Sequence, residues 1–558
     1  AQGIRDAIVT LLTALTRTRR AVLIFEDTHW MDSASWQALA DIRDRLPQLA
    51  IVLLSRPVDP TDLPVQAIRM LRDDAGAKIT LAPLGRAETD ALIVSELGIS
   101  EQPPAMLDRI FELAEGHPLY TKELAKLFVD RELVHIESGY AHIPSTKIDL
   151  RDVEFPGGIE GTVSARISAL PPDVQLTLKV ASVQGRDADH TIIAQSHPQQ
   201  NAQITKHLEA IRASGLMDPV SDQKSRFHHA LIVDTAYDLL LSEQKQALHK
   251  RIAELYEEAT AQGAAHIPST LLAHHWDNGG TPKKAIGHLQ VAATQARRTQ
   301  ANEEVFTFLT RAHELDAAHG PLLAPEETAS LHMSLAVALM SLGHLVATDE
   351  HMSAALAIFD KPPPETNAQY VKETLGHFVN IAVKRRDPEV PVDRRKLNAS
   401  RIYLALSEVY YDRQDTLRSV HATFSAMRLA AESGGDSGPL ATAVAPLAMV
   451  SIFVPWALKG ENWKTEAVAM VERLGDPGAS GWVHMTSGAY TFATGKFAEA
   501  EDLTRVAIDS SAVARDQKCW EYSVANLGNI LRLQGKFREA DVQDVLTYAS
   551  GHDRGVPQ

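Results

Sequence analysis

The stretch Ala21-Val-Leu-Ile-Phe25-Glu26-Asp27-Thr-His29-Trp30-Met-Asp32 decides the fold. Its first five residues are apolar and follow Arg19 and Arg20, the pattern of a strand buried in a parallel sheet. Two acids close it. An acid at the C-terminal end of such a strand lies where open α/β sheets bind ligands, and can hold Mg²⁺ or polarise a water. The plainer alternative is an acid that caps the following helix. The sequence offers Asp32 or Ser33 for that task, ahead of a helix over 33–46. Residues 5–17 read as a helix before the strand. Residues 49–54 (LAIVLL) read as a second buried strand and 78–81 (KITL) as a third. Strand, helix and strand joined by short connections predict a βαβ sheet.

The rest of the chain differs. Helices are expected over 88–97, 104–114 and 118–130, a connector over 138–157, and several helices with a strand-turn-strand near 216–227. From about residue 262 the pattern is almost all helix. Two segments match each other there: Gly495-Lys-Phe497-Ala-Glu-Ala500 and, 40 residues on, Gly535-Lys-Phe537-Arg-Glu-Ala540. Gly280-Thr-Pro-Lys-Lys-Ala285 and Gly343-His-Leu345 are weaker copies. A glycine can end one helix at φ > 0, an aromatic can pack under the turn, and a small residue lets the second helix approach. Residues 361–366 (KPPPET) and 385–396 (RRDPEVPVDRRK) read as exposed loops within this array.

Composition bounds the function. The 558 residues suggest three or four domains at about 150 residues each. They are 45% apolar and 23% charged, as in ordinary globular proteins. The net charge of −16 argues against direct nucleic-acid binding, which needs clustered cations. A single cysteine, Cys519, excludes an internal disulfide and a cysteine zinc site, and fits a reducing, cytoplasmic setting. No signal peptide is legible in the opening residues. Residues 437–458 carry no charge for 22 residues, long enough to span a bilayer. Pro439, Pro446 and Pro455 and the amphipathic surroundings favour a buried helical hairpin instead, so no membrane contact is expected.

The repeated segments resemble the tetratricopeptide repeat, at a longer spacing than its usual period. The extended EDTHWMDSAS string resembles the signal-transduction (STAND) branch of P-loop ATPases. It is closest to the AAA-like ATPase module that follows class III adenylate/guanylate cyclase domains in bacterial signalling proteins. The resemblance implies bound ATP or ADP with Mg²⁺. It makes Glu26 the Mg²⁺-side acid and Asp27 the water-polarising acid of a Walker B strand. His29 and Trp30 would pack the strand end. Arg56, in Leu53-Leu-Ser-Arg56-Pro57, becomes the sensor 1 arginine that reaches a γ-phosphate; alternatively it is a solvated strand-end cation. Glu115-Gly116-His117-Pro118-Leu119 matches the family's step in which the proline lies against adenine, with histidine where asparagine is usual. Otherwise Gly116 and Pro118 simply form a loop-to-helix transition. Residues 159–183 (IEGTVSARISALPPDVQLTLKVASV) resemble the family's winged-helix entry. Arg226-Phe-His228-His229-Ala230-Leu231 resembles its histidine signature, which places His229 at the β-phosphate of ADP, although Ala230 replaces an acid; a helix-packing histidine is the other reading.

The expected architecture is therefore multidomain and mainly α. A partial α/β P-loop NTPase core over 1–95 has Walker B and sensor 1 but no Walker A. A helical lid follows over 96–137, a linker over 138–157, a winged-helix region over 158–260, and a helical repeat solenoid over 262–558. The expected partners are a protein bound on the repeats and an N-terminal output domain contacted in cis, a nucleotide cyclase in the first reading. A STAND-type transcriptional regulator and a decayed repeat scaffold are the other two readings. The phosphate-cradling G-x-x-x-x-G-K-[ST] loop occurs nowhere in the 558 residues, and only 25 precede Glu26. The chain is accordingly expected to be a fragment of a longer protein. By itself it is expected not to hydrolyse ATP. Mg²⁺-dependent turnover that Asp27→Asn abolishes would overturn that expectation.

Overall fold

The computed structural model describes residues 2–17, 20–57, 67–68, 70, 76–100, 103–137, 139–144, 150, 153, 157, 158–199, 203–263, 266–299, 301–383, 393–434, 437–453 and 459–553. They are mostly helical, and they form two compact units. One comprises residues 1–72 with 293–558, the other 73–292.

The first unit begins with helix α1 (Gln2–Thr16), strand β1 (Val22–Phe25), helix α2 (Ser33–Arg45) and strand β2 (Ala50–Leu53). The strands pair in parallel, Val22 opposite Ala50 and Phe25 opposite Leu53, as a strand-helix-strand connection requires. Asp32 caps α2 by accepting from the Ser35 amide at 2.7 Å. The strands are not buried on both faces. Their side chains alternate, with Leu23 and Phe25 half-buried and Val22, Ile24 and Val52 exposed. The third strand does not form. Residues 78–81 are irregular, and Ile79 and Leu81 are 81% and 85% exposed. An apolar run becomes a strand only where a neighbour takes its hydrogen bonds.

The second unit runs through helices α3 (Arg86–Leu97), α4 (Pro104–Ala114) and α5 (Pro118–Asp130) and the hairpin of β3 (His135–Glu137) and β4 (Tyr140–His142). The start of the expected linker is thus a strand. Helices α6 (Gly158–Ser168) and α7 (Pro172–Ser182), strand β5 (Asp187–Asp189), helices α8 (His190–Ser196) and α9 (Ile204–Ala213), and strands β6 (Met217–Ser221) and β7 (Lys224–Phe227) follow. The three strands form an antiparallel sheet in the order β5-β7-β6, with a strand-turn-strand where the sequence placed one. Val163, Ile167, Leu178, Ile211 and Phe227 bury fully beneath it. Helices α10 (Ala230–Asp238), α11 (Ser242–Ala261) and α12 (Ser269–Asn278) come next, and α13 (Pro282–Arg298) runs to the unit boundary.

The remaining helices of the first unit are α14 (Asn302–Ala318), α15 (Pro325–Ser341), α16 (Leu345–Ile358), α17 (Asn367–Val383), α18 (Arg394–Asp412), α19 (Thr416–Glu432), α20 (Gly438–Val444), α21 (Pro446–Phe453), α22 (Gly460–Leu474), α23 (Pro477–Ala493), α24 (Phe497–Ala514), α25 (Gln517–Leu533) and α26 (Phe537–Asp553). One turn recurs between paired helices. Gly495 stands at φ +83, its amide donates to the Phe492 carbonyl, and the Lys496 amide donates to Thr491. The same two bonds form around Gly280, Gly343 and Gly535, each at positive φ. This is the double-bonded helix end that needs a left-handed residue. Five residues beyond each glycine lies a fully buried small side chain: Ala285, Thr348, Ala500 or Ala540. The same two bonds also form without glycine around Asp360, Gln414 and Arg515, at φ 59, 59 and 57, ends that the glycine pattern missed. After Gln414, Ser419, five residues on, is half-buried and donates through Oγ to the Ser407 carbonyl.

Two details depart from expectation. Phe497 packs against Phe492 at 5.8 Å between centroids, whereas its counterpart Phe537 is 64% exposed. Residues 394–396 belong to the first turn of α18 rather than to a loop; 385–392 lie outside the described residues. The uncharged segment folds as α20 and α21, whose Leu440, Ala441, Val444 and Leu447 join the core; residues 454–458 lie outside the described residues. Among the described residues no helix is long and apolar enough to cross a membrane.

The helical packing encloses histidines. In the second unit, His249 of α11 and His275 of α12 meet Nδ1 to Nδ1 at 2.9 Å, and burial pushes them down to about 4 and about 3. In the first, His332 and His351 meet the same way at 2.9 Å, and burial pushes His332 down to about 4. Unfolded imidazoles take up protons near pH 6.5 while these stay neutral, so acid favours unfolding. The urea midpoint of the chain is expected to fall as pH drops from 6.5 toward 4, the unfolding free energy losing at most about 1.4 kcal/mol per pH unit for each such histidine. A midpoint flat across that window would contradict this.

Candidate functional site

In the first unit the acid pair sits at the C-terminal end of β1, on a turn held to the end of β2. Leu54 donates its amide to Phe25, and Thr28 donates both its amide and its hydroxyl to the Leu54 carbonyl, at 3.0 and 3.2 Å. Asp27 is forced left-handed at φ 53, ψ 39, a conformation that short polar side chains tolerate. Glu26 and Asp27 face solvent, and Arg56 emerges exposed just beyond the neighbouring strand. The parallel register therefore brings Glu26, Asp27 and Arg56 to one sheet edge. The Arg56 guanidinium lies 5.9 Å from the centre of the Trp30 ring. Trp30 is 71% exposed, so it does not pack the strand end. His29 is half-buried, and neither ring nitrogen has a hydrogen-bond partner among the described residues. Next along the chain, the Ser33 amide and hydroxyl both donate to the Glu304 carboxylate of α14, at 2.7 and 2.8 Å. Sequence gave no hint of this tie between residues 271 positions apart.

In the second unit Gly116 is fixed by geometry. It stands at φ +76, its carbonyl accepts from the Leu84 amide at 2.8 Å, and a Cβ there would lie 2.1 Å from the Leu84 oxygen. Pro118 opens α5 in the first turn and is exposed. His117 caps that helix, its Nδ1 accepting from the Tyr120 amide at 3.3 Å. The core side of α5 carries buried polar groups. The Glu123 carboxylate takes Arg166 Nη1 through Oε2, and Arg166 also bonds Asp130 at 3.1 Å and the Ser214 carbonyl. Glu123 Oε1 and Thr121 Oγ1 have no partner among the described residues.

His229, at the N-cap of α10, is half-buried with Nε2 unpartnered among the described residues. Burial lowers its pKa, and neighbouring His228 lowers it further; Glu123 opposes both, and Lys126 and Lys122 add to the lowering. His229 thus lies within electrostatic reach of α5, the helix that Gly116 and Pro118 start. These three residues belong to one unit, and Glu26, Asp27 and Arg56 to the other. The α5 carboxylate was missed at the sequence level. Its signal is a glutamate on the apolar side of an amphipathic helix, with Arg166 in the quoted 159–183 string as its counterion.

A family model described as a domain of unknown function (DUF8739) matches residues 85–142, which span α3 to β4. A relative in Rhizobium meliloti (strain 1021), "Uncharacterized protein R02095", is 24% identical over 318 residues. The match takes in 55% of this chain and 29% of that protein, so the chain spans less than a third of its length. Among solved structures, a STAND protein with a tetratricopeptide repeat sensor, PH0952 from Pyrococcus horikoshii, is similar over 95% of this chain and 81% of its own, at 13% identity and a TM-score of 0.34. BtubC from P. vanneervenii is similar over 50% of this chain and 93% of its own, at 15% identity and a TM-score of 0.28.

Gly98 provides a control for Gly116. It is also left-handed, at φ +63, but a Cβ there would meet nothing within 4 Å. Gly98→Ala is expected to cost about 1–2 kcal/mol in urea denaturation, and Gly116→Ala clearly more. Equal costs would mean that the contact with Leu84 is slack.

Proposed function

We propose that this chain is the regulatory part of a STAND-type signalling ATPase, responding to ATP or ADP with Mg²⁺ and carrying repeats that bind a protein partner. One observation supports the reading: β1 pairs in parallel with β2, Phe25 opposite Leu53, so Glu26 and Asp27 just after β1 and Arg56 three residues after β2 follow the same C-terminal end of the pair. Exposed carboxylates on a turn held by Thr28 suit a hydrated Mg²⁺, with Glu26 as its holder. Asp27 would orient the attacking water, and Arg56 would meet the γ-phosphate. The phosphate cradle that these residues need is not among the 558 residues, so binding belongs to the longer protein. The sequence resemblance assigns adenine and β-phosphate contacts to Gly116, Pro118 and His229, which belong to the second unit. Residues 158–260 read as the winged-helix region of this arrangement, with β6 and β7 as its wing.

Nucleotide would then act by shifting the balance between conformations that the repeats and a cis output domain sense. A class III nucleotide cyclase is the output that the sequence resemblance favours, and the cytoplasm the compartment. A DNA-binding output would make the protein a transcriptional regulator. The cations Lys179, Lys206, Arg212, Lys224 and Arg226 over 158–260 are sparse and interspersed with acids, and Arg226 is taken up by both oxygens of Asp187 at 2.6 and 3.0 Å. In the intact protein, Asp27→Asn is expected to lower ATP turnover about 100-fold or more and to leave ADP affinity within a few-fold. An intact protein that binds no nucleotide, or one whose turnover ignores Asp27→Asn, would overturn the proposal.

A further inference from the structure

Helices α17 and α19 pack side by side in the first unit, with α18 between them in sequence. Glu373 and His377 are one turn apart on α17, and His421 faces them from α19. One ligand atom from each lies within 4.8 Å of the other two, and this is the one such trio of histidine and acid among the described residues. His421 is 1% exposed and His377 8%, while the Glu373 side chain is half exposed.

The details suit a metal better than a hydrogen-bonded core. His421 Nε2 lies 3.4 Å from Glu373 Oε2 and 3.3 Å from Ser425 Oγ, both long for hydrogen bonds. Ligand atoms held 2.0–2.1 Å from a tetrahedral zinc lie about 3.4 Å apart, the spacing already present between His421 and Glu373. The His377 and His421 rings are 5.7 Å apart, so His377 needs only a small movement to complete the set. The rings of Tyr370 and Tyr403 wall His421 at 4.9 and 5.9 Å, excluding water on the inner side. Access remains through Glu373.

An imidazole is mostly neutral at pH 7, the form that ligates, and the burial of His377 and His421 favours that form. The other charges facing the pair are Arg428 and Glu432 of α19, which pair with each other at 3.2 Å, and Lys396 of α18, which bonds Glu432 at 3.4 Å. The carboxylate left to balance a cation is Glu373. Two imidazoles and a carboxylate are a zinc donor set with a fourth position open to water. The other histidine groups differ. His249 with His275, and His332 with His351, turn Nδ1 to Nδ1, which occupies one ligating atom of each ring, and neither pair has an acid completing a trio among the described residues.

We propose that Glu373, His377 and His421 form a Zn²⁺ site that staples α17 to α19 in the repeat array. The site is independent of the nucleotide reading. The test is a Zn²⁺ titration of the chelator-stripped 558-residue chain against a chromophoric competitor, paired with the visible absorption of Co²⁺. The expected result is one tight site per chain and a tetrahedral Co²⁺ spectrum. In Glu373→Gln, an exposed change that leaves the core intact, affinity should fall at least as far as the roughly 10–100-fold that losing an outer partner costs. His421→Ala should remove the Co²⁺ spectrum. Zinc at saturation should raise the melting temperature of the wild-type chain and not of Glu373→Gln. No stoichiometric zinc, or an affinity and spectrum unchanged in Glu373→Gln, would overturn the proposal.

Discussion

The array rests on how closely two helices can approach after a reversal. A left-handed residue ends the first helix, its amide and the next one return to the helix just left, and a small side chain five residues on sits fully buried between the pair. A larger side chain at Ala285, Thr348, Ala500 or Ala540 would hold the helices apart. Small residues also line the core between residues 329 and 483. Ala329, Ala336, Ala355, Ala399, Ala422 and Ala426 fill it, and no helix in it could bury its apolar stripe alone. Close approach also traps polar side chains. Histidines caught between such helices stay uncharged, and the favourable arrangements left to them are a shared proton, a tyrosine hydroxyl or a cation.

Much of this was legible in the sequence because it rests on local chemistry. Proline at 104 and 118 starts helices where it was read to, and Asp32 caps α2. The repeats announced themselves through glycine, and the ends that went unnoticed use Asp360, Gln414 and Arg515 in the same conformation. What failed was long-range. The KITL run was read by composition alone, yet a strand exists only through its partner. Burial of β1 on both faces was inferred from an unbroken apolar run, and the structure alternates because only one face is covered. Trp30 was expected to pack inward and instead stands out beside Arg56.

The candidate sites divide along the same line. Glu26, Asp27 and Arg56 are legible as candidates because each follows a recognisable apolar run, and the register sets the ends of those two runs level. The polar groups around α5 escaped notice. Glu123 meets Arg166 across 43 residues of sequence, and Ser33 meets Glu304 across 271. The zinc-like trio has a local half, Glu373 and His377 at helical spacing, and a distant half, His421. Local halves of this kind are common in helices. Only packing shows which of them has a third group opposite.

The bare face of the β1–β2 ribbon has a further effect. Val22, Ile24 and Val52 stand out in water on strands of four residues that have no further strand beside them among the described residues. Two such ribbons can add to each other strand by strand, and that step needs two molecules. Association through this face would therefore be second-order in chain concentration, and dilution would slow it.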